Sequence, residues 1–238
     1  MPRRGAILTL MLYAGLTPPA AAETAGELLR QCLPEAPRIN SEAEVHIEVS
    51  YKDRAPESYH YLRLEGPQHL FITPGNKGGP ALLLDKPRDR VWHYDTETQQ
   101  FSPAGPDITP LWLLSETLLQ AHRLDTFALS ISAHNSFGGM EYYTLEARLA
   151  GNPFPRRSLA FKRSAEGQCT LIRAAYFAPP DKLNKKLFFQ WQTVGEATLP
   201  KALHIEDVAT LTAIRYHVEA PTPVEQIDPG RIPTPPPD

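Results

Sequence analysis

The stretch from Tyr59 to Phe101 most constrains the fold, because its aromatic and aliphatic residues recur at every second position between turn residues. Leu62 and Leu64 alternate with Tyr61, Arg63 and Glu65. Trp92 and Tyr94 alternate with Val91, His93 and Asp95. Successive side chains on a strand point to opposite faces, so each run offers one apolar or aromatic face. Between the runs, Gly75, Asn76, Gly78 and Gly79 tolerate the positive φ that a tight reversal needs. A meander of this kind builds a curved antiparallel sheet. It holds no nucleophile–base pair and no metal-ligand spacing, so the chemistry of the chain must be sought in the faces of that sheet.

The rest of the chain repeats the pattern. Thr24 to Cys32 is predicted as a short helix, with Thr24 as N-cap and Glu27 three residues on completing a capping box. From Ala43 to Tyr51, Val45, Ile47, Val49 and Tyr51 share one face, and Glu44, His46, Glu48 and Ser50 share the other. Further strands are expected at Phe127–Ser132, Met140–Leu149, Arg157–Arg163, Cys169–Phe177, Lys185–Thr193, Lys201–Asp207 and Leu211–Glu219. Their spacing of roughly 10–15 residues predicts one antiparallel sheet of about eight to eleven strands. One segment differs. From Leu111 to His122, Leu111, Leu114, Leu118 and Ala121 form a helical stripe that Trp112 and Leu119 widen. It reads either as a helix plugging the core or as a cover over an apolar cavity. The fold class is mainly β (α+β).

At the N-terminus, Arg3 and Arg4 precede an apolar run from Gly5 to Leu16, and Ala20, Ala21 and Ala22 supply the small residues that a signal peptidase reads. Residues 1–22 are therefore expected to be a cleaved signal peptide, since the apolar run from Gly5 to Leu16 is too short to span a bilayer. Residues 23–220 are expected to form one domain. Residues 221–238 are proline-rich and expected to be extended or disordered. The formal charge of −3 becomes about −5 once Arg3 and Arg4 are lost. A mildly acidic chain without a basic stripe is a poor partner for nucleic acid. Two cysteines, Cys32 and Cys169, follow the signal; in an oxidising compartment they could pair, or remain separate buried thiols.

Motifs for catalysis are missing: there is no G-x-S-x-G, Walker motif, H-E-x-x-H or C-x-x-C. His46, His60, His93, His204 and His217 fall singly on strands, and the carboxylates at Asp85, Asp89, Glu206 and Asp207 read as solvated loop-end charges. The basic pairs Arg156-Arg157 and Lys185-Lys186 are small basic spots that could meet anionic lipid headgroups, although most such pairs are only solubilising. The chain is not expected to be an enzyme, and no cofactor or metal is implied.

The order arginine, aliphatic-Thr-Pro, Lys-Gly, aliphatic strand, aliphatic-Trp-x-Tyr resembles the LolA-like outer-membrane lipoprotein-sorting family. The matching residues are Arg63, Leu70 to Pro74, Lys77-Gly78, Leu82 to Leu84 and Val91 to Tyr94; Asp95-Thr96 stands where a proline often follows. Thr198 to Leu203 fits the family's later Leu-Pro strand. The resemblance implies an open half-barrel covered by short helices acting as a lid, located in the periplasm. It implies a carrier, expected as a monomer, for a lipid or the acyl chain of a lipoprotein. Its expected partners are an ABC-type or RND-type transporter in the inner membrane and an acceptor at the outer membrane. The residues expected to line the cavity are Leu62, Leu64, Phe71, Trp92, Tyr94, Trp112, Leu114, Leu118, Phe189 and Trp191. Arg63 matches the family's lid-contacting arginine, with a salt bridge to Glu65 as the alternative. The competing function is a periplasmic sensor that binds lipoprotein or a protein partner on the same sheet.

Overall fold

The computed structural model describes residues 24–33, 40–75, 80–88, 90–103, 124–152, 154–194 and 197–235. The expected helix at 111–122, with Trp112, Leu114 and Leu118, and the expected signal peptide lie outside the described residues.

Helix α1 (Ala25–Cys32) opens the described chain. Its capping box is complete: the Glu27 backbone N–H donates to Thr24 Oγ1 at 3.2 Å, and Glu27 Oε2 accepts from the Thr24 backbone N–H at 2.8 Å. The strands that follow are β1 (Asn40–Ser50), β2 (Glu57–Glu65), β3 (His69–Pro74), β4 (Pro80–Asp85), β5 (Arg90–Asp95) and β6 (Gln100–Pro103). After a single 3₁₀ turn at Leu124–Thr126 come β7 (Ala128–Phe137), β8 (Met140–Arg148), β9 (Arg156–Arg163) and β10 (Cys169–Ala178). The series ends with β11 (Lys182–Val194), β12 (Ala197–Asp207), β13 (Thr212–Val218) and β14 (Thr222–Val224).

All of them form one antiparallel sheet in the order β6-β5-β4-β3-β2-β1-β13-β12-β11-β10-β9-β8-β7, with β14 added beside β1. The sequence undercounts the strands because the Tyr59–Phe101 meander divides into five of them and the tail adds a further one. Two hairpin series meet where β1 pairs with β13 (Val45 opposite Val218, Ile47 opposite Tyr216). The sheet does not close, since β6 and β7 remain as its two ends. Register shifts between Ile131 and Ala133, Leu171 and Arg173, Tyr176 and Phe177, and Gln190 and Trp191 mark bulges, which bend and twist the strands that carry them. The β7–β8 reversal uses Gly138 and Gly139 at φ +60° and +74°, which side chains with a Cβ adopt only under strain.

The two faces differ. The first packs on α1 and holds the larger core: Val45, Ile47 and Val49 of β1, Leu145 and Ala147 of β8, Phe161 of β9, Ile205 of β12, and Ile214 and Tyr216 of β13. Full burial of each large aliphatic side chain contributes about 1.5–3 kcal/mol. Cys32 and Cys169 are disulfide-bonded, fastening α1 to the start of β10.

The opposite face carries a smaller cluster of Leu64, Phe71, Ala81, Leu83 and Ile227, with Leu62, Trp92, Tyr94, Phe101, Val224 and Ile232 packed against it. The tail, expected to be extended or disordered, runs in extended form along this face. Thr222–Val224 pairs with Asn40–Glu42 of β1, and Ile227 is buried. Asn40 Nδ2 donates to the Glu225 carbonyl at 2.8 Å, and Arg231 forms a two-pronged ion pair with Glu42. Proline cannot continue a central strand, but it suits a short edge strand followed by an extended crossing of an apolar face.

Candidate functional site

The α1 face offers a band of side chains running across five strands. In register from β2 to β11 the row is Tyr59, Ile47, Tyr216, Leu203 and Phe189. Ile47, Tyr216 and Leu203 are buried, whereas Tyr59 and Phe189 at its ends are only partly covered. Tyr61, Val91, Leu129, Ile131 and Trp191 extend this half-covered margin. Trp191 packs parallel to Phe189, with centroids 5.9 Å apart, and its indole N–H donates to the Leu171 carbonyl at 2.6 Å. The face is thus apolar and covered in the middle, with half-covered aromatic rings among its margins, a composition suited to apolar ligands.

Charge enters this face at two places. Arg63 and Glu65, two residues apart on β2, point to the α1 side and are buried as an ion pair. Lys86 Nζ lies 3.0 Å from Glu65 Oε1 and donates to the Gly66 carbonyl at 2.8 Å. Burial alone would raise the Glu65 carboxyl, but Arg63 and Lys86 outweigh it and hold its pKa below the usual range. Burial works against the Arg63 charge as well, and Glu65 overrides it. The buried Tyr216 hydroxyl interacts with the Arg63 guanidinium, while burial pushes its phenol up. On the same face, towards the β7 end of the sheet, Arg157 is buried with its guanidinium 4.5 Å from the Phe127 ring centroid and 5.1 Å from that of Tyr176. Lys185 pairs with Asp207 at 3.2 Å, both buried. The basic pairs and loop-end acids expected to be solvated are therefore split: Arg157, Lys185 and Asp207 are buried, and so is Asp85, which pairs with Arg88 at 2.7 Å.

The structure divides the expected lining residues between the two faces. Phe189 and Trp191 lie on the α1 face. Leu62, Leu64, Phe71, Trp92 and Tyr94 lie together on the other face, under the C-terminal segment. The reason is the period of two. Leu64 and Arg63 are neighbours on β2 and must point to opposite sides, and Arg63 is accommodated on the α1 side because the Glu65 carboxylate neutralises it there. Tyr59, Tyr61 and Tyr216 were missing from the expected lining set. Tyr59 and Tyr61 occupy the positions alternating with Leu62 on β2, and Tyr216 alternates with Arg215 and His217 on β13.

Beside the C-terminal segment lies a cleft of about 760 Å³, whose lining includes Pro67, His69, Arg88, Ile227, Ile232 and Pro235. It sits on the side away from α1, at the β2–β3 turn.

No protein-family model matches the sequence, and no curated protein matches it significantly. Solved structures do match. The chain is similar to a LolA superfamily protein from Nitrosomonas europaea, with 16% identity and a TM-score of 0.65, over 90% of this chain and 98% of that one. It is similar to a DUF1329 family protein from Desulfovibrio piger, with 13% identity and a TM-score of 0.63, over 85% and 92% of the two chains. A putative outer membrane lipoprotein-sorting protein domain from Vibrio parahaemolyticus matches with 11% identity and a TM-score of 0.63, over 87% and 93%. The chain therefore has the LolA-like fold: one large, open antiparallel sheet with a helix against one face. No described helix is long and apolar enough to cross a membrane.

Proposed function

We propose that this protein is a periplasmic carrier that binds a lipid or the acyl chain of a lipoprotein on the α1 face and passes it from an inner-membrane transporter to the outer membrane. The observation that carries this reading is the continuous apolar band from Tyr59 to Phe189, laid across an open sheet and bordered by half-covered aromatic rings. Each acyl CH₂ moved from water to such a surface is worth about 0.8 kcal/mol, so a single chain binds usefully without any polar recognition. The Arg63, Glu65 and Lys86 group on this face, two cations sharing one carboxylate, carries a net positive charge in a low-dielectric setting that strengthens attraction to an anionic headgroup or carboxylate. Catalysis is not part of the proposal.

The test is native mass spectrometry and lipid extraction on protein purified from the periplasm, with uptake of a fluorescent fatty acid by the delipidated protein. Bound phospholipid or acylated peptide, and uptake that falls at least tenfold on Tyr61→Glu in a variant that still folds, is the expected result. A lipid-free mass together with no fatty-acid uptake refutes the carrier and favours a protein-binding module on the same sheet.

A further inference from the structure

The outward face of β1 holds an arrangement of metal-ligating side chains that the carrier reading does not use. The histidines that look scattered in the sequence are brought together by register. His60 of β2 lies opposite His46 of β1, and His46 lies opposite His217 of β13. Three imidazoles thus stand in one row across three adjacent strands, with the His46 and His60 rings edge to face at a centroid distance of 4.4 Å.

Beside this row stands a pair of carboxylates. The Glu219 backbone N–H donates to the Glu44 carbonyl at 3.0 Å, one step beyond the Val45–Val218 pair, so the two glutamates are cross-strand neighbours. Like charges placed opposite each other on a sheet are destabilising. The Glu44 carboxylate has no ion-pair partner among the described residues, and Glu219 is engaged only by His46, with His46 Nε2 3.0 Å from Glu219 Oε1. One donor atom each from Glu44, His46 and Glu219 fall within 4.8 Å of one another. In a tetrahedral zinc site with bonds of about 2.0–2.2 Å, neighbouring donors are roughly 3.3–3.5 Å apart. Rotamer adjustment of exposed side chains closes the remaining gap.

We propose that Glu44, His46 and Glu219 form a surface site for one divalent transition-metal ion of the zinc class, with the fourth position open to His60 or water. The donor set selects the class of ion. Carboxylates alone would suit calcium or magnesium, whereas an imidazole beside two carboxylates suits zinc or copper and discriminates against the hard cations. The ion would replace the direct His46–Glu219 contact and neutralise the paired glutamates. The site is on the sheet face opposite α1, so its loading is measurable whether or not the acyl-binding reading holds.

The test is isothermal titration of untagged, EDTA-treated and desalted protein with Zn²⁺, and separately with Ca²⁺ and Mg²⁺, at physiological ionic strength. The expected result is one equivalent of Zn²⁺ bound, no response to Ca²⁺ or Mg²⁺, and an affinity loss of at least tenfold in both His46→Ala and Glu219→Gln. All three ligands are at the surface, so these variants should keep the parent circular dichroism spectrum; His134→Ala, distant on β7, should bind as the parent does. Zinc binding unchanged in His46→Ala, or no binding by the parent at millimolar Zn²⁺, overturns the proposal.

Discussion

Arg63 donates from Nη2 to the Glu65 carboxylate along one strand, with side chains only 4% and 6% exposed. A buried pair of this kind is costly to break from one side, because the survivor is left as an uncompensated charge, typically at 3–5 kcal/mol. Glu65→Leu should therefore lose about 3–5 kcal/mol in urea unfolding, and Arg63→Leu/Glu65→Leu should recover much of that loss. The same pair has a pH signature. Glu65 is held below its usual value in the folded protein, so its contribution is fully present above the unfolded carboxyl value near 4.3 and is lost as pH falls through the depressed folded one. Glu65→Gln should flatten the acid limb of stability against pH; an unchanged limb would show that other carboxylates govern it.

The disulfide between Cys32 and Cys169 spans 137 residues of sequence. Closing a loop of that length lowers the entropy of the unfolded chain by an amount worth about 5 kcal/mol on the chain-entropy model. Cys32→Ser/Cys169→Ser should be less stable by up to that amount in chemical denaturation. Because Cys32 is itself buried against the core, hydrogen exchange in α1 should rise more than in β8 or β9. A Tm equal to the parent's would mean that packing alone holds α1.

Much of this architecture was legible in the sequence. The alternation in β1 identified Val45, Ile47 and Val49 as a core face, and all three are buried. Thr24 and Glu27 announced the start of α1, and the Thr-Pro and Trp-x-Tyr runs pointed to the fold now matched by structural likeness. Periodicity fixes which residues share a face of a strand. It does not say which face meets the core when both are apolar, as in β2 and β5. There the orientation is set by partners distant in the chain: Lys86 compensating Glu65 on one side, and Ile227 and Ile232 covering Leu64 and Phe71 on the other. The histidine row was hidden for the same reason, since His60, His46 and His217 are neighbours only through strand pairing.

Tyr59 and Tyr51 both donate to the Glu57 carboxylate, the latter at 3.1 Å. Mainly through the hydrogen bond to Glu57, with burial adding to it, the Tyr59 phenol is pushed up to about 12. An unfolded tyrosine titrates near 10, so the folded state holds this proton more tightly. The associated stability is present below about pH 10 and declines as pH rises towards 12. A phenolate absorbance titration should show late-ionising tyrosines, Tyr61 and Tyr216 being pushed up by burial as well, with Tyr59 as one distinct component. Tyr59→Phe should remove that component and Glu57→Gln should move it earlier; a late component that survives Tyr59→Phe belongs to another tyrosine.

The C-terminal segment holds its face through Ile227 more than through charge. Ile227 is buried against Leu64, Phe71 and Leu83, whereas the Arg231–Glu42 pair is partly solvated. Ile227→Ala should cost about 2–5 kcal/mol if the cavity does not collapse. Arg231→Ala should cost no more than about 1 kcal/mol. Deletion from Thr222 onward should expose the patch and increase binding of an apolar dye. Dye binding equal to the parent's would show that this face is covered in some other way.

The two faces can be distinguished by their tryptophans. Trp191 stacks on Phe189 at the margin of the α1 face, and Trp92 packs against Phe101 on the opposite one. Bromine on an acyl chain quenches indole emission only near contact, so a brominated fatty acid reports which ring it reaches. In Trp92→Phe/Trp112→Phe, which leaves Trp191, the ligand should quench most of the emission. In Trp112→Phe/Trp191→Phe, which leaves Trp92, it should quench little. The reverse pattern would move the acyl site to the face beneath the C-terminal segment, where the cleft beside Ile227 and Pro235 already offers about 760 Å³. Equal quenching of both would indicate adsorption without a defined site, since a single bound chain cannot touch two rings on opposite faces of one sheet.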